Sequence, residues 1–161
     1  MFNPLFVSLQ AVSRALNLLS GLALTLMMLL TVTDVVCRAG GHPILGVYEI
    51  AALGLAVVIG CGFPQTSLDR GHVYMEFLLE KLSGAPRRIL NTLTRLGAFV
   101  LFILIGYNLL KVGAELYSAG EVSPTLRLPF YPVAYLVAVC CFVQCLVFLA
   151  DVVRIWRGEY E

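Results

Sequence analysis

The apolar residues of the chain fall into long runs bounded by charges. Ala15 to Thr33 lies between Arg14 and Asp34, Ile50 to Leu68 between Glu49 and Asp69, Leu96 to Leu110 between Arg95 and Lys111, and Leu128 to Ala150 between Arg127 and Asp151. A helix crossing a hydrocarbon core roughly 30 Å thick needs about 20 such residues at about 1.5 Å each, so the pattern predicts four transmembrane helices. Pro64 is expected to end the second helix early. Pro129 and Pro132 suit the first turn of the fourth, which places its start near Tyr131. The third run is short, but Arg95 and Lys111 have long stems that snorkel toward the two interfaces. A start near Pro86 makes that helix longer than the membrane and tilted. The expected spans are about 15–36, 46–64, 89–114 and 131–152.

One connecting segment carries a helical period of its own. Asp69, His72, Glu76 and Glu80 share one stripe, Tyr74, Leu78 and Leu82 another, and Ser83-Gly84-Ala85-Pro86 closes the segment. This reads as a short amphipathic helix over 69–83 lying in the interface, with a plain solvated connector as the alternative. Lys and Arg fix the orientation. The N-terminus, second loop and C-terminus hold Arg14, Arg70, Lys81, Arg87, Arg88, Arg95, Arg154 and Arg157, against Arg38, Lys111 and Arg127 on the other side, so both termini are expected in the cytoplasm. The first segment is too long for a signal peptide and lacks a small-x-small cleavage pattern, so it is expected to stay in the mature protein.

Composition agrees: 60% of residues are hydrophobic, 13% are charged and the mean hydropathy is +0.90. The expectation is an all-α integral membrane protein, a single domain over 1–161 with four transmembrane helices packed as one compact bundle plus the cytoplasmic amphipathic helix. A formal net charge of +1 offers no electrostatic footprint for nucleic acid, and the length leaves no room for a separate catalytic domain.

Few residues offer chemistry. The five cysteines form no C-x-x-C pair and read as small hydrophobes, which weakens a membrane thiol–quinone oxidoreductase. His42 and His72 lie on opposite faces and cannot both ligate a haem. Asp69, His72 and Glu76 have ligand-compatible spacing but read as a solvated face, so no metal or cofactor is expected. Asp34 and Arg38, Lys111 and Glu115, and the single Glu49 are interfacial charges read as anchors and mutual pairs. No acidic residue occupies the middle of a span, which removes what a stand-alone proton-coupled exporter needs. Ala52, Ala56 and Gly60 form a small-residue ridge on the second span, suited to close helix packing either inside the bundle or against another protein. Together with Arg70 and His72 of the amphipathic segment, this ridge is the candidate partner interface.

The chain resembles, over nearly its whole length, the Q-type (DctQ-like) small membrane subunit of tripartite ATP-independent periplasmic (TRAP) transporters. The resemblance rests on Arg38 after span one, Gly46-Val47-Tyr48-Glu49 leading into span two, Gly60-Cys61-Gly62 at its end, and Arg70-Gly71-His72-Val73 opening the amphipathic segment. It also rests on Ser123-Pro124-Thr125-Leu126-Arg127-Leu128-Pro129 and Tyr131-Pro132 leading into span four. It implies a subunit of the bacterial cytoplasmic (inner) membrane without catalytic residues, scaffolding a large membrane subunit that holds the substrate and sodium sites. A periplasmic binding protein would deliver an organic acid. Because this chain ends at Glu161, the two membrane subunits are expected to be separate chains.

Overall fold

The computed structural model describes residues 4–68 and 85–157. The predicted amphipathic helix over 69–83, with Arg70 and His72, lies outside the described residues. Four helices account for nearly all of the rest: α1 (Pro4–Ala39), α2 (Val47–Leu68), α3 (Ala85–Ala119) and α4 (Tyr131–Arg157). Each contains a stretch long and apolar enough to cross a membrane: Ser8–Ala39, Val47–Leu68, Ile89–Ala119 and Tyr131–Val153.

The helices run further than the apolar stretches that announce them. At 36 residues, α1 is about 54 Å long, well beyond a hydrocarbon core of roughly 30 Å. Pro64 does not end α2, which continues to Leu68 with the proline buried inside it. Proline deprives the Gly60 carbonyl of one N–H, but leaving the helix would strip several more backbone groups of partners where no water replaces them. The C-terminal ends of α1 and α3 carry glycine. His42 N–H reaches back to Cys37 O (2.9 Å) across Gly41 at φ 82°, and Glu121 N–H reaches Leu116 O (3.2 Å) across Gly120 at φ 64°.

α1 packs chiefly on α2, α2 on α4 and α4 on α3, with a smaller contact between α1 and α4, and α4 is the most buried of the four. Each seam is closed by small or polar groups. Along α1, Ser13, Ser20, Met27 and Asp34 recur every seven residues among the buried and half-buried positions. Ser20 Oγ donates to the Val58 carbonyl (2.8 Å), and Met27 lies on Gly54, where a Cβ would sit 2.6 Å from the sulfur. Between α2 and α4, Gly60 admits Val137, the Cys61 and Cys140 sulfurs touch at 3.7 Å, and Gln144 donates to Ser67. Between α3 and α4, Gly106 receives Cys141 and Phe142, and Gly113 receives Tyr135. Phe102 stands edge-on between Phe63 and Phe148, with ring centroids 5.5 and 5.6 Å away.

A Cβ at Gly60 would lie 3.1 and 3.2 Å from the two Val137 methyls, so Gly60→Leu is expected to destabilise the isolated, detergent-purified chain by about 1–3 kcal/mol. Gly21→Leu, on an open surface of α1, should leave it unchanged. Thermal unfolding of the two variants checks this. Equal melting temperatures would contradict the α2–α4 seam.

Candidate functional site

Two polar clusters lie at opposite ends of the helices. At the N-terminal end of α2, Glu49 gathers the α3–α4 connection. Its carboxylate accepts from Ser123 Oγ (2.6 Å), Thr125 N–H (2.8 Å) and Leu126 N–H (3.0 Å). The segment it holds is itself knotted: Ser123 N–H donates to Leu128 O (2.9 Å), Arg127 N–H to Ser123 O (3.1 Å) and Leu128 N–H to Ser123 Oγ (3.2 Å). The turn puts Arg127 in the left-handed region at φ 53° and pairs Val122 with Pro129 as a single bridge. Leu126 drops onto Gly46, where a Cβ would sit 2.5 Å from its Cγ, and Gly46 also adopts a φ of 82°. Glycine is needed there both for the backbone and for the room.

Beside this clasp, Asp34 and Arg38 form the ion pair their spacing suggested, 2.7 Å apart, with the aspartate side chain 7% exposed and the arginine side chain 50%. Asp34 also accepts from Ile44 N–H (3.0 Å), tying the α1–α2 connection to α1, and the Arg38 guanidinium lies over the Tyr48 ring at 5.7 Å. Two carboxylates thereby tie the α1–α2 connection to α1 and the α3–α4 connection to α2. Glu49 was expected to be an interfacial charge with a charged mate. Its partners are instead a hydroxyl and two amides from residues more than 70 positions away, which sequence spacing does not reveal.

The cluster at the opposite end of the helices overturns the reading of Arg95. It does not snorkel to an interface; its side chain is 6% exposed and pairs at 3.0 Å with Asp151 of α4, itself 5% exposed. The Arg95 guanidinium also faces the Phe148 ring at 5.8 Å. About ten ångströms nearer the membrane centre, seven residues along α4, Gln144 donates to Ser67, both fully buried. Sequence reasoning passed over Asp151, Gln144 and Ser67. The available signal was a lone amide inside the most apolar run of the chain, because polar groups in spans are normally bonded across helices.

The remaining candidates scatter. Ala52 is exposed, Ala56 half-buried and Gly60 buried against Val137, so the three do not present one outward surface. Lys111 and Glu115 are both exposed and form no ion pair with each other, contrary to the mutual pairing expected. The five cysteines are free thiols. Cys61 meets Cys140 across the α2–α4 seam and Cys145 lies 3.8 Å from the Phe99 carbonyl, which makes these three packing groups of the seams.

A family model described as "Tripartite ATP-independent periplasmic transporters, DctQ component" matches residues 27–158, a stretch containing the whole clasp around Glu49 and both residues of the Arg95–Asp151 pair. No curated protein and no solved structure matches the chain.

Two outcomes follow from the geometry. Replacing Glu49 by Ala removes three hydrogen bonds to a charged acceptor, each worth about 1.5–3 kcal/mol. Amide exchange over 123–128 is therefore expected to accelerate at least about tenfold, with a smaller change for Ser123→Ala. Arg95→Met alone leaves Asp151 buried without its cation and is expected to cost about 3–5 kcal/mol, whereas the double variant Arg95→Met/Asp151→Leu recovers most of that loss. Melting temperatures of the single and double variants measure it.

Proposed function

The chain belongs to the DctQ component family of tripartite ATP-independent periplasmic transporters, and from that premise we propose that it is a static scaffold against which a larger membrane subunit moves its cargo. It is a multi-pass membrane protein and a transporter component rather than an enzyme, which sets aside the thiol–quinone oxidoreductase. In the proposed assembly the large subunit holds the substrate and sodium sites. A periplasmic binding protein delivers an organic acid to the outer face, and this chain carries neither cargo nor ion. The membrane is the bacterial cytoplasmic (inner) membrane, with both termini in the cytoplasm, as the distribution of Lys and Arg supports.

The outer clasp carries this reading. A residue on an ion or proton path must exchange its partners during each cycle, and such residues line a cavity. Glu49 is held by three donors, Asp34 by Arg38 and the Ile44 amide. Each therefore fixes helix ends relative to one another, which suits a part that stays still. The stand-alone exporter has no comparable support, since the carboxylates at the outer end serve as fasteners.

Proteoliposomes holding this chain alone are expected to take up no organic acid under a sodium gradient. Vesicles with the large subunit added and the binding protein outside should take it up, and omission of this chain should abolish that uptake. Sodium-driven uptake by the chain alone, or undiminished uptake without it, would refute the scaffold. Reporter fusions at Gly120 and Ser83 are expected to report outside and inside respectively.

A further inference from the structure

The seam between α2 and α4 brings together two thiols that lie 79 positions apart in the chain. Cys61 and Cys140 are 0% and 1% exposed, and their sulfurs touch at 3.7 Å. The other cysteines of α4 turn elsewhere: Cys141 lies against Gly106 of α3, and the Cys145 sulfur is directed at the Phe99 carbonyl of α3. Cys37 lies in the last turn of α1. One cysteine of α4 therefore meets one of α2, at a point inside the apolar spans of both helices.

A disulfide needs backbones near enough, with Cα atoms usually about 4.4–6.8 Å apart, and sulfurs that can close to roughly 2.05 Å. The residue before Cys61 supplies the first. Gly60 has no side chain, and a Cβ built on it would stand 3.5 Å from the Val137 Cα, so the two helix backbones run against each other at this level. The second requires the sulfurs to approach by about 1.6 Å, a distance that small rotations of the two side chains cover. Packing alone requires only small apolar groups here. Sulfur against sulfur at such a close approach of two helices is also the starting geometry of a bond.

Burial decides which oxidants act. Thiol–disulfide exchange proceeds through a thiolate attacking in water, and both sulfurs are shut away from water, so soluble disulfides do not reach them. A small neutral oxidant that enters hydrocarbon is different. Hypochlorous acid transfers its chlorine to one thiol sulfur, giving a sulfenyl chloride and water; the second sulfur then displaces chloride and releases its proton, which leaves the disulfide. Two electrons pass from the sulfur pair to chlorine, which ends as chloride. We propose that Cys61 and Cys140 form a redox-sensitive lock, held as thiols toward water-soluble disulfides and converted by hypohalous acids into a disulfide that staples α2 to α4. The inference stands on the α2–α4 seam and not on the scaffold reading.

The test treats native membranes containing the full chain with hypochlorous acid, quenches with methionine, and alkylates with N-ethylmaleimide after denaturation. Mass spectrometry of the unreduced digest is expected to find a peptide pair joined through Cys61 and Cys140 that separates on treatment with dithiothreitol. Glutathione disulfide in place of hypochlorous acid should leave both residues as alkylated thiols. In the purified chain the bridge should raise the melting temperature, since it closes a loop across 79 positions, and Cys61→Ala should remove both the bridge and the rise. Recovery of Cys61 and Cys140 as separately alkylated or separately over-oxidised residues would overturn the lock, as would bridges from Cys61 to Cys141 or Cys145. Equal bridging by glutathione disulfide would overturn it too, because the sulfurs would then be open to water.

Discussion

Inside hydrocarbon no water stands ready to accept a bond that the protein fails to make, and apolar surfaces gain nothing from leaving one apolar medium for another. The whole structure answers that one constraint. Glycine admits Val137, Met27, Tyr135 and Phe142 at close range, so dispersion has area to act over. Hydroxyl, amide and charged groups then close each seam at particular points, such as Ser20 on the Val58 carbonyl, Gln144 on Ser67 and Arg95 on Asp151. The same constraint carries α2 past Pro64, since continuing costs one backbone bond and stopping would cost several.

The main contacts run in the order α1–α2–α4–α3, with α1 and α3 at its two ends. Both end helices carry exposed polar groups, Asn17, Thr25, Thr31 and Thr33 on α1 and Asn108, Lys111 and Glu115 on α3. The clasp around Glu49 and Asp34 holds the α1–α2 and α3–α4 connections where they would otherwise splay. Two carboxylates and two turns with left-handed residues connect α1 to α2 and α2 to the start of α4.

The buried ion pair between α3 and α4 plays a different part. A pair of this kind adds little net stability, since desolvation offsets attraction, but leaving one member without the other is costly. Arg95 and Asp151 therefore set the register of α3 on α4. They act with Gly106 and Gly113, which set how near α3 comes to α4.

The existence of four membrane helices was determined by the sequence alone, because a run of some twenty apolar residues has one satisfactory conformation in lipid. So was the DctQ resemblance, carried by Gly46 through Glu49 and by Ser123 through Pro129 in their order along the chain. The i, i+4 spacing of Asp34 and Arg38 was likewise enough to predict their ion pair. What joined the two family segments was decided only by the tertiary structure, for Glu49 finds its donors 74 to 77 residues away. The same is true of Gly60, whose side of the helix became readable only once Val137 stood against it. The reason is common to both. In a soluble helix polarity marks the outward face, whereas here the lipid-facing and helix-facing sides are equally apolar, so periodicity alone leaves open which neighbour each side will meet.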